Sequence, residues 1–230
     1  MQRQPILTER DLSLFQLRTQ YVRNYLTYAG KNGDIIRENA KRGQRRFKNL
    51  DITYKAFFFD ALPSRTASVK SWLLSPVGYQ VLHDTYDPDF FRMATCKEAL
   101  AFEVSRNKGA SMELKFHCQP QRWSIEGQRK VRMDSAGVLL NPYEFPSKPI
   151  IRAYGSGEAK LYVGSELITI QSIDGYVDLN CETHNAYNAS GFCNNTIKSE
   201  DFPELLPGKN RISWTGGIDH LEITPRWWTL

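Results

Sequence analysis

Histidine is scarce in this chain. There are four in 230 residues, His83, His117, His184 and His220, and they are scattered rather than grouped. No GxSxG, P-loop, HExxH or GxGxxG pattern occurs, so the sequence offers none of the usual frames for hydrolytic, nucleotide-dependent or metalloprotease chemistry. The expectation is a protein without catalytic residues and without a cofactor. Long apolar runs are missing too. The longest, such as Ala56–Phe59, fall far short of the ~20 residues that span a bilayer. The opening "MQRQPILTERDLSLFQLR" carries charge where a signal peptide would keep its apolar core. A soluble protein made in a cytoplasm, with no membrane partner, is the reading. In that setting the four cysteines, Cys96, Cys118, Cys181 and Cys193, are expected to be reduced and buried. There is no internal repeat and no low-complexity tract.

What the chain does have is aromatics, at 12%, and alternating strand-like segments. Such side chains cover pleated surfaces well. The net charge of +5 is concentrated at the start: residues 1–60 carry 12 Lys/Arg against 6 Asp/Glu. That balance permits a nucleic-acid partner but does not demand one. A chain of this length fits one large all-β domain or two smaller ones. The clearest composition change is "WSIEGQRKVRMDSAGVLLNPYEFPSKP", which mixes charge, glycine and proline without sustained period. We therefore expect a domain at 1–123, a linker at 124–148 and a second domain at 149–230.

In the first domain "LDITYKAFFF" reads as a strand, and "SMELKFHCQP" alternates Met112, Leu114, Phe116 and Cys118 against polar neighbours before Pro120 ends it. His117 has the opposite parity and should face solvent or a neighbour. "SRTASVKSWLLSPVGY" is the helix candidate: Ser64 or Thr66 could cap it, Val69, Trp72 and Leu73 share a face, and Pro76 and Gly78 stop it. The second part is strand and turn throughout. "IIRAYGS" and "AKLYVGSELITIQS" alternate with period two and are split by Gly155, Gly157 and Gly164; "GYVDLNC" follows. Near the end Ile212 and Trp214 face one way, Gly216-Gly217 can supply a tight turn, and Leu221 and Ile223 return as a last hairpin. Short strands at this spacing point to a sandwich.

Each candidate site has a plain structural reading. Cys181, His184 and Cys193 are three zinc-type ligands without CxxC spacing, which fits buried thiols and a surface histidine better than a metal centre. Asp84, Asp87 and Asp89 could feed a calcium ion, but they lack the glycine and bidentate glutamate of a calcium loop, and Asp-Pro turns use the same residues locally. "KRGQRRFK" places Lys41, Arg42, Arg45, Arg46, Phe47 and Lys48 together, either as a phosphate-contacting patch, as a solvated hairpin arm, or as an arm that pairs with acidic residues of a neighbouring subunit. With no RNP motif or helix-turn-helix, direct nucleic-acid readout is not expected. The aromatics Tyr154, Tyr162, Tyr176, Tyr187, Trp227 and Trp228 could stack on sugar rings or fill a core. Tyr187, Trp227 and Trp228 are the candidates for a sugar or partner contact.

Several segments, in order, resemble the distal tail protein family (Dit) of long, flexible-tailed bacteriophages. These are "YAGKNGDI" followed by "LDITYKAFF", "VKSWLLSPVGYQVLHDTYDPDFFRMA", "LKFHCQPQRW", "PIIRAYGSGEAKLYVGSELITI", "GYVDLNC", "FPELLPGKNRISW" and "HLEITPRWW". The start, Met1–Thr27, departs from the family pattern. The resemblance implies a mainly β protein with an N-terminal β-domain carrying one helix and a C-terminal galectin-like β-sandwich. It implies a structural virion component at the distal tail tip, a baseplate hub of six copies in a ring. Its partners would be the tail tube protein, the tail-tip protein and receptor-binding proteins. Residues 37–48 would be the arm that reaches the ring neighbour. The alternative from another class is a carbohydrate-binding module that touches the host cell wall, although a galectin-like fold does not by itself bring sugar binding.

Overall fold

The computed structural model describes residues 25–30, 33–38, 47–59, 63–96, 103–105 and 109–230. The chain is mainly β and forms two units. Unit 1 comprises Met1–His83 and Arg92–Pro120; unit 2 comprises Asp84–Phe91 and Gln121–Leu230. Each has its own apolar core.

In unit 1, β1 (Tyr25–Gly30) and β2 (Gly33–Glu38) form an antiparallel hairpin closed at Gly30 and Gly33. β3 (Leu50–Phe59) follows, then the helix α1 (Pro63–Leu74) and β4 (Gln80–Leu82). β5 (Phe90–Cys96) begins in unit 2 and continues in unit 1, and is followed by β6 (Glu103–Ser105) and β7 (Gly109–Cys118). β3 and β7 pair along their whole length, from Leu50 opposite Cys118 to Phe59 opposite Gly109. Period-two alternation puts Leu50, Ile52, Tyr54 and Ala56 on the same buried side as Ala110, Met112, Leu114 and Cys118. The helix lies where expected. Val69 and Leu73, four residues apart, pack on that core, while Trp72 falls at the rim and is 36% exposed. Ser75 N–H closes the last turn on Ser71 O before Pro76 ends it.

In unit 2, β8 (Arg122–Ser124) is followed by a 3₁₀ turn at Glu126–Gln128, then β9 (Val131–Met133) and β10 (Gly137–Asn141). β11 (Ile150–Val163) and β12 (Glu166–Asn180) come next, with β13 (Asn185–Asn188), β14 (Gly191–Phe192) and β15 (Ile197–Lys198) after them. β16 (Gly208–Thr224) and β17 (Trp228–Thr229) close the chain. The main sheet is antiparallel in the order β10-β16-β11-β12-β13-β14, with β9 on β16 and β15 on β12.

Two expectations change here. Residues 124–148 are not a connector: β9 and β10 both pair with β16. The loop after β10 is held by Asn141, whose amide donates to Phe145 O and Leu205 O, and by the Ser147–Leu205 bridge. The boundary between units falls at Pro120/Gln121, and a short segment, Asp84–Phe91, also belongs to unit 2. The second change concerns glycine. The segments read as separate short strands are three continuous ones of 14, 15 and 17 residues, and Gly216-Gly217 lies inside β16 rather than at a hairpin turn.

The glycines mark a corner that crosses all three strands. Gly155 pairs with Gly175, and Ala159 with Gly216. The register shifts between Gly155 and Ala159 against β16, and between Gly157 and Ala159 against β12. The backbones approach so closely that a Cβ at Gly217 would sit 1.7 Å from Ser156 O, and one at Gly216 would sit 2.4 Å from Glu158 O. Only glycine fits there. On either side of the corner each strand feeds one core: Ile151 and Ala153 with Leu161 and Val163, Ile168 and Ile170 with Val177 and Leu179, and Ile212 with Leu221 and Ile223. A sheet whose two halves share a core is folded over on itself, which makes the β-sandwich. Burying each of these Leu, Ile and Val side chains stabilises the unit by about 1.5–3 kcal/mol.

Candidate interaction surfaces

The C-terminal tryptophans, candidates for a sugar or partner contact, are engaged inside unit 2. After β16 the segment Pro225–Leu230 runs beside β8 and the 3₁₀ turn. Arg226 N–H donates to Gly127 O at 2.7 Å, Ser124 N–H donates to Trp227 O at 2.9 Å, and Trp228 pairs with Trp123. Ser147 Oγ donates to Pro225 O at 2.8 Å. Trp228 stacks on Phe145 with ring centroids 4.5 Å apart, and its Nε1–H donates to Pro146 O. Trp227 packs on the core, and its backbone closes on Gly127, where a Cβ would lie 2.6 Å from Trp227 N. Arg226 takes a left-handed φ of 57° to make this turn. The segment is a clasp: it ties the entry of unit 2 to its last strand.

Tyr187, the third candidate, lies on β13 with its hydroxyl accepting from Asn180 and its ring edge-on to Phe192, which is 78% exposed. Phe192 had no periodic signal in the sequence.

Beyond the corner, the outward face of the sheet carries two cross-strand rows that register alone creates. Tyr176, Tyr154 and His220 stand opposite one another on β12, β11 and β16. Tyr154 and His220 stack at 4.4 Å, and the Arg152 guanidinium lies 4.3 Å from the centre of the Tyr176 ring. In the next row Asp178, Arg152 and Glu222 are opposite. Arg152 grips Asp178 with both ends of its fork, at 2.7 and 2.6 Å. The hydrogen bonds Arg152 donates to Asp178, followed by the one it donates to the Tyr154 oxygen, push the guanidinium pKa further above its ordinary value. Glu222 accepts from Lys130 at 2.9 Å and from the Tyr154 hydroxyl at 3.2 Å. The Lys130 hydrogen bond leads in holding the Glu222 carboxyl below its usual range. Arg132 pairs with Asp134 in the same way. The charges of the Asp178–Arg152–Glu222 row are thus satisfied among themselves and by Lys130.

Of the basic arm, Lys41, Arg42, Arg45 and Arg46 lie outside the described residues. Phe47 is half-buried in a bridge and Lys48 is exposed. Asp84 accepts from the backbone N–H of Tyr86 and Asp87, and Asp87 takes Arg122 at 2.8 and 2.6 Å, so these carboxylates serve a turn. His184 is exposed and stacks on Phe202, while Cys181 and Cys193 are buried. Among the described residues no group of three or more His, Cys, Asp or Glu is arranged to hold a metal ion. Burial pushes the Cys118 and Cys181 thiols up to about 12 and raises Cys193 as well. His117 binds Asp51 at 2.6 Å and Asn49 at 3.0 Å on the outer face of unit 1. No helix among the described residues is long and apolar enough to cross a membrane.

No protein-family model matches the sequence, and no curated protein matches it. The fold does match a solved structure: the crystal structure of the SPP1 Dit protein, described as a paradigm of the hub adsorption apparatus in phages that infect Gram-positive bacteria. The similarity covers 96% of this chain and 95% of that one, with a TM-score of 0.68 and 12% sequence identity.

Proposed function

We propose that this chain is a structural virion protein, the distal hub of a phage tail, which joins the tail tube to the tail-tip and host-adhesion apparatus. The observation that carries the reading is the extent of the shared fold. The likeness to SPP1 Dit runs through both units and leaves almost nothing of either chain unmatched. A fold alone hosts many functions. Here it agrees with a resemblance drawn independently from ordered sequence segments. In this reading six copies close into a ring through heterologous contacts, in which one patch meets a different patch on the next copy. Unit 1, with the basic arm Lys41–Lys48, forms the ring. Unit 2 takes the place of the outward galectin-like sandwich. The tube protein, the tail-tip protein and receptor-binding proteins are its neighbours in the virion, and the chain performs no catalysis. Antibodies raised against the purified protein should label intact particles at the distal end of the tail. Label on the capsid or along the tube would contradict the assignment.

A second reading, carbohydrate binding to the host cell wall, draws on the Tyr176–Tyr154–His220 row. That row has the aromatic and charged chemistry of sugar sites, yet its ring faces are occupied by one another and by Arg152. A monomer retained on cell-wall polysaccharide would favour this reading over the hub.

A further inference from the structure

The two outward faces of the unit 2 sheet differ in one respect. Beyond the corner the Asp178–Arg152–Glu222 row and the Arg132–Asp134 pair are satisfied. On the other half, made by β10, the start of β16, the end of β11, the start of β12, and β15, the cations are not so paired. The register puts Val138 opposite Arg211 and Leu140 opposite Lys209. It puts Tyr162 opposite both Ser213 and Leu167, and Thr169 opposite both Lys160 and Lys198. Directly opposed residues project to the same side, so these share one surface. Lys160, Lys198, Lys209 and Arg211 are all exposed, and none makes an ion pair with a described residue. Among them stand Val138, Leu140, Tyr162 and Leu167, which are 58%, 56%, 36% and 40% exposed. None of these opposed positions is Asp or Glu; the outward carboxylate of β11, Glu158, lies back at the corner. At ~4.8 Å between strands and ~6.7 Å between successive outward residues, the face measures roughly 20 Å each way.

It also ends in an open strand. β10 is the last strand on its side of the sheet among the described residues. Exposed edges are normally blunted by lysine, proline or a bulge. "GVLLN" has neither residue, and its pairing with β16 has no register shift.

We propose that this face docks an acidic, extended segment of another protein, added as a strand along β10. Backbone hydrogen bonds to the open edge would supply affinity, Val138 and Leu140 would pack apolar side chains, and the cations would take carboxylates. Charge selects this occupant. A second copy is a poor match. Unit 1 holds 19 Lys/Arg against 9 Asp/Glu, and the same face on another copy is equally cationic. Unit 2 of another copy has an acidic excess, but its Asp178, Glu222 and Asp134 are already engaged, and its exposed Glu144, Glu182 and Glu200 lie on turns and bends rather than on a strand that could add to this edge. An anionic polymer would use the cations but neither the apolar side chains nor the strand edge. The proposal is independent of the hub reading: a ring can form whether or not this face is occupied.

The test uses the full-length protein in whatever assembly it adopts. The probes are an amidated seven-residue peptide of alternating Glu and Val, the same peptide with Lys for Glu, and inorganic polyphosphate. Hydrogen exchange should slow at Gly137–Asn141 with the acidic peptide alone. Its affinity should fall about tenfold or more in a Lys160→Glu/Arg211→Glu variant, which touches only exposed side chains. Leu140→Asp should abolish the protection. If that variant fails to fold, the double charge reversal still decides. Equal protection by the lysine peptide or by polyphosphate would overturn the proposal. So would self-association that protects the same amides without peptide, or no protection by the acidic peptide at about millimolar concentration.

Discussion

At the scale of single residues, the glycines of unit 2 do more than relax the backbone. Gly217 has an ordinary φ but no room, since a methyl group would meet Ser156 O at 1.7 Å; Gly157 has room but a φ of 79°. These are separable costs. Gly157→Ala should lose about 1–2 kcal/mol, the cost of a left-handed alanine. Gly217→Ala must push two backbones apart and should lose more than about 3 kcal/mol. Urea unfolding of both variants measures the difference, and equal losses would mean that the corner is not close-packed. The thiols give a second prediction. Burial keeps Cys118 and Cys181 protonated up to about 12. Unfolded thiols release their protons earlier, so the folded state holds more protons across that interval. The stability this gives is complete below the ordinary thiol value and is lost as pH rises toward and through about 12. At pH 8 a soluble thiol reagent should modify half-buried Cys96 well before either of them. Rapid labelling of Cys118 or Cys181 in the native protein would contradict their burial.

At the scale of elements, the strands and the helix were legible because their signals are local. Met112, Leu114 and Cys118 alternate, and Val69 and Leu73 repeat at four, so β7 and α1 lie where the period placed them. The long strands were not legible as such. Gly155, Gly157, Gly175 and Gly216-Gly217 look in sequence like turn residues, and only pairing shows that they are one corner seen in three strands. β9 and β10 escaped notice for a related reason. Segments of 3 and 5 residues are too short to show a period, and their partner, β16, lies about 80 residues away. The face rows Tyr176–Tyr154–His220 and Asp178–Arg152–Glu222 are products of register, so no single segment carries them. The C-terminal clasp answers to the same logic: two tryptophans that could have met a ligand are used to hold β8 and the 145–147 loop. Trp228→Ala removes the Phe145 stack and the Pro146 hydrogen bond and should cost about 2–4 kcal/mol. Trp228→Phe, which loses chiefly the hydrogen bond, should cost about 1 kcal/mol. Chemical denaturation distinguishes the two. A loss under about 0.5 kcal/mol for Trp228→Ala would show that the clasp is not structural.

At the scale of the whole molecule, the charge is divided between the units. Unit 1 carries an excess of ten cations and unit 2 an excess of five anions. Neither unit shows a metal-binding cluster among the described residues. What the molecule does present is surface: an open strand edge, cations without an ion pair to a described residue, and exposed apolar side chains. The fold is similar to that of SPP1 Dit. The hub proposed above requires copies to meet around an axis, so the number of copies is the quantity to measure. Native mass determination of the purified protein, with electron-microscope class averages of the same sample, decides it. Six copies of a 26.5 kDa chain would give about 160 kDa, or twice that for stacked rings, with six-fold averages. A species of 26.5 kDa that stays monomeric at the highest soluble concentration would contradict the account.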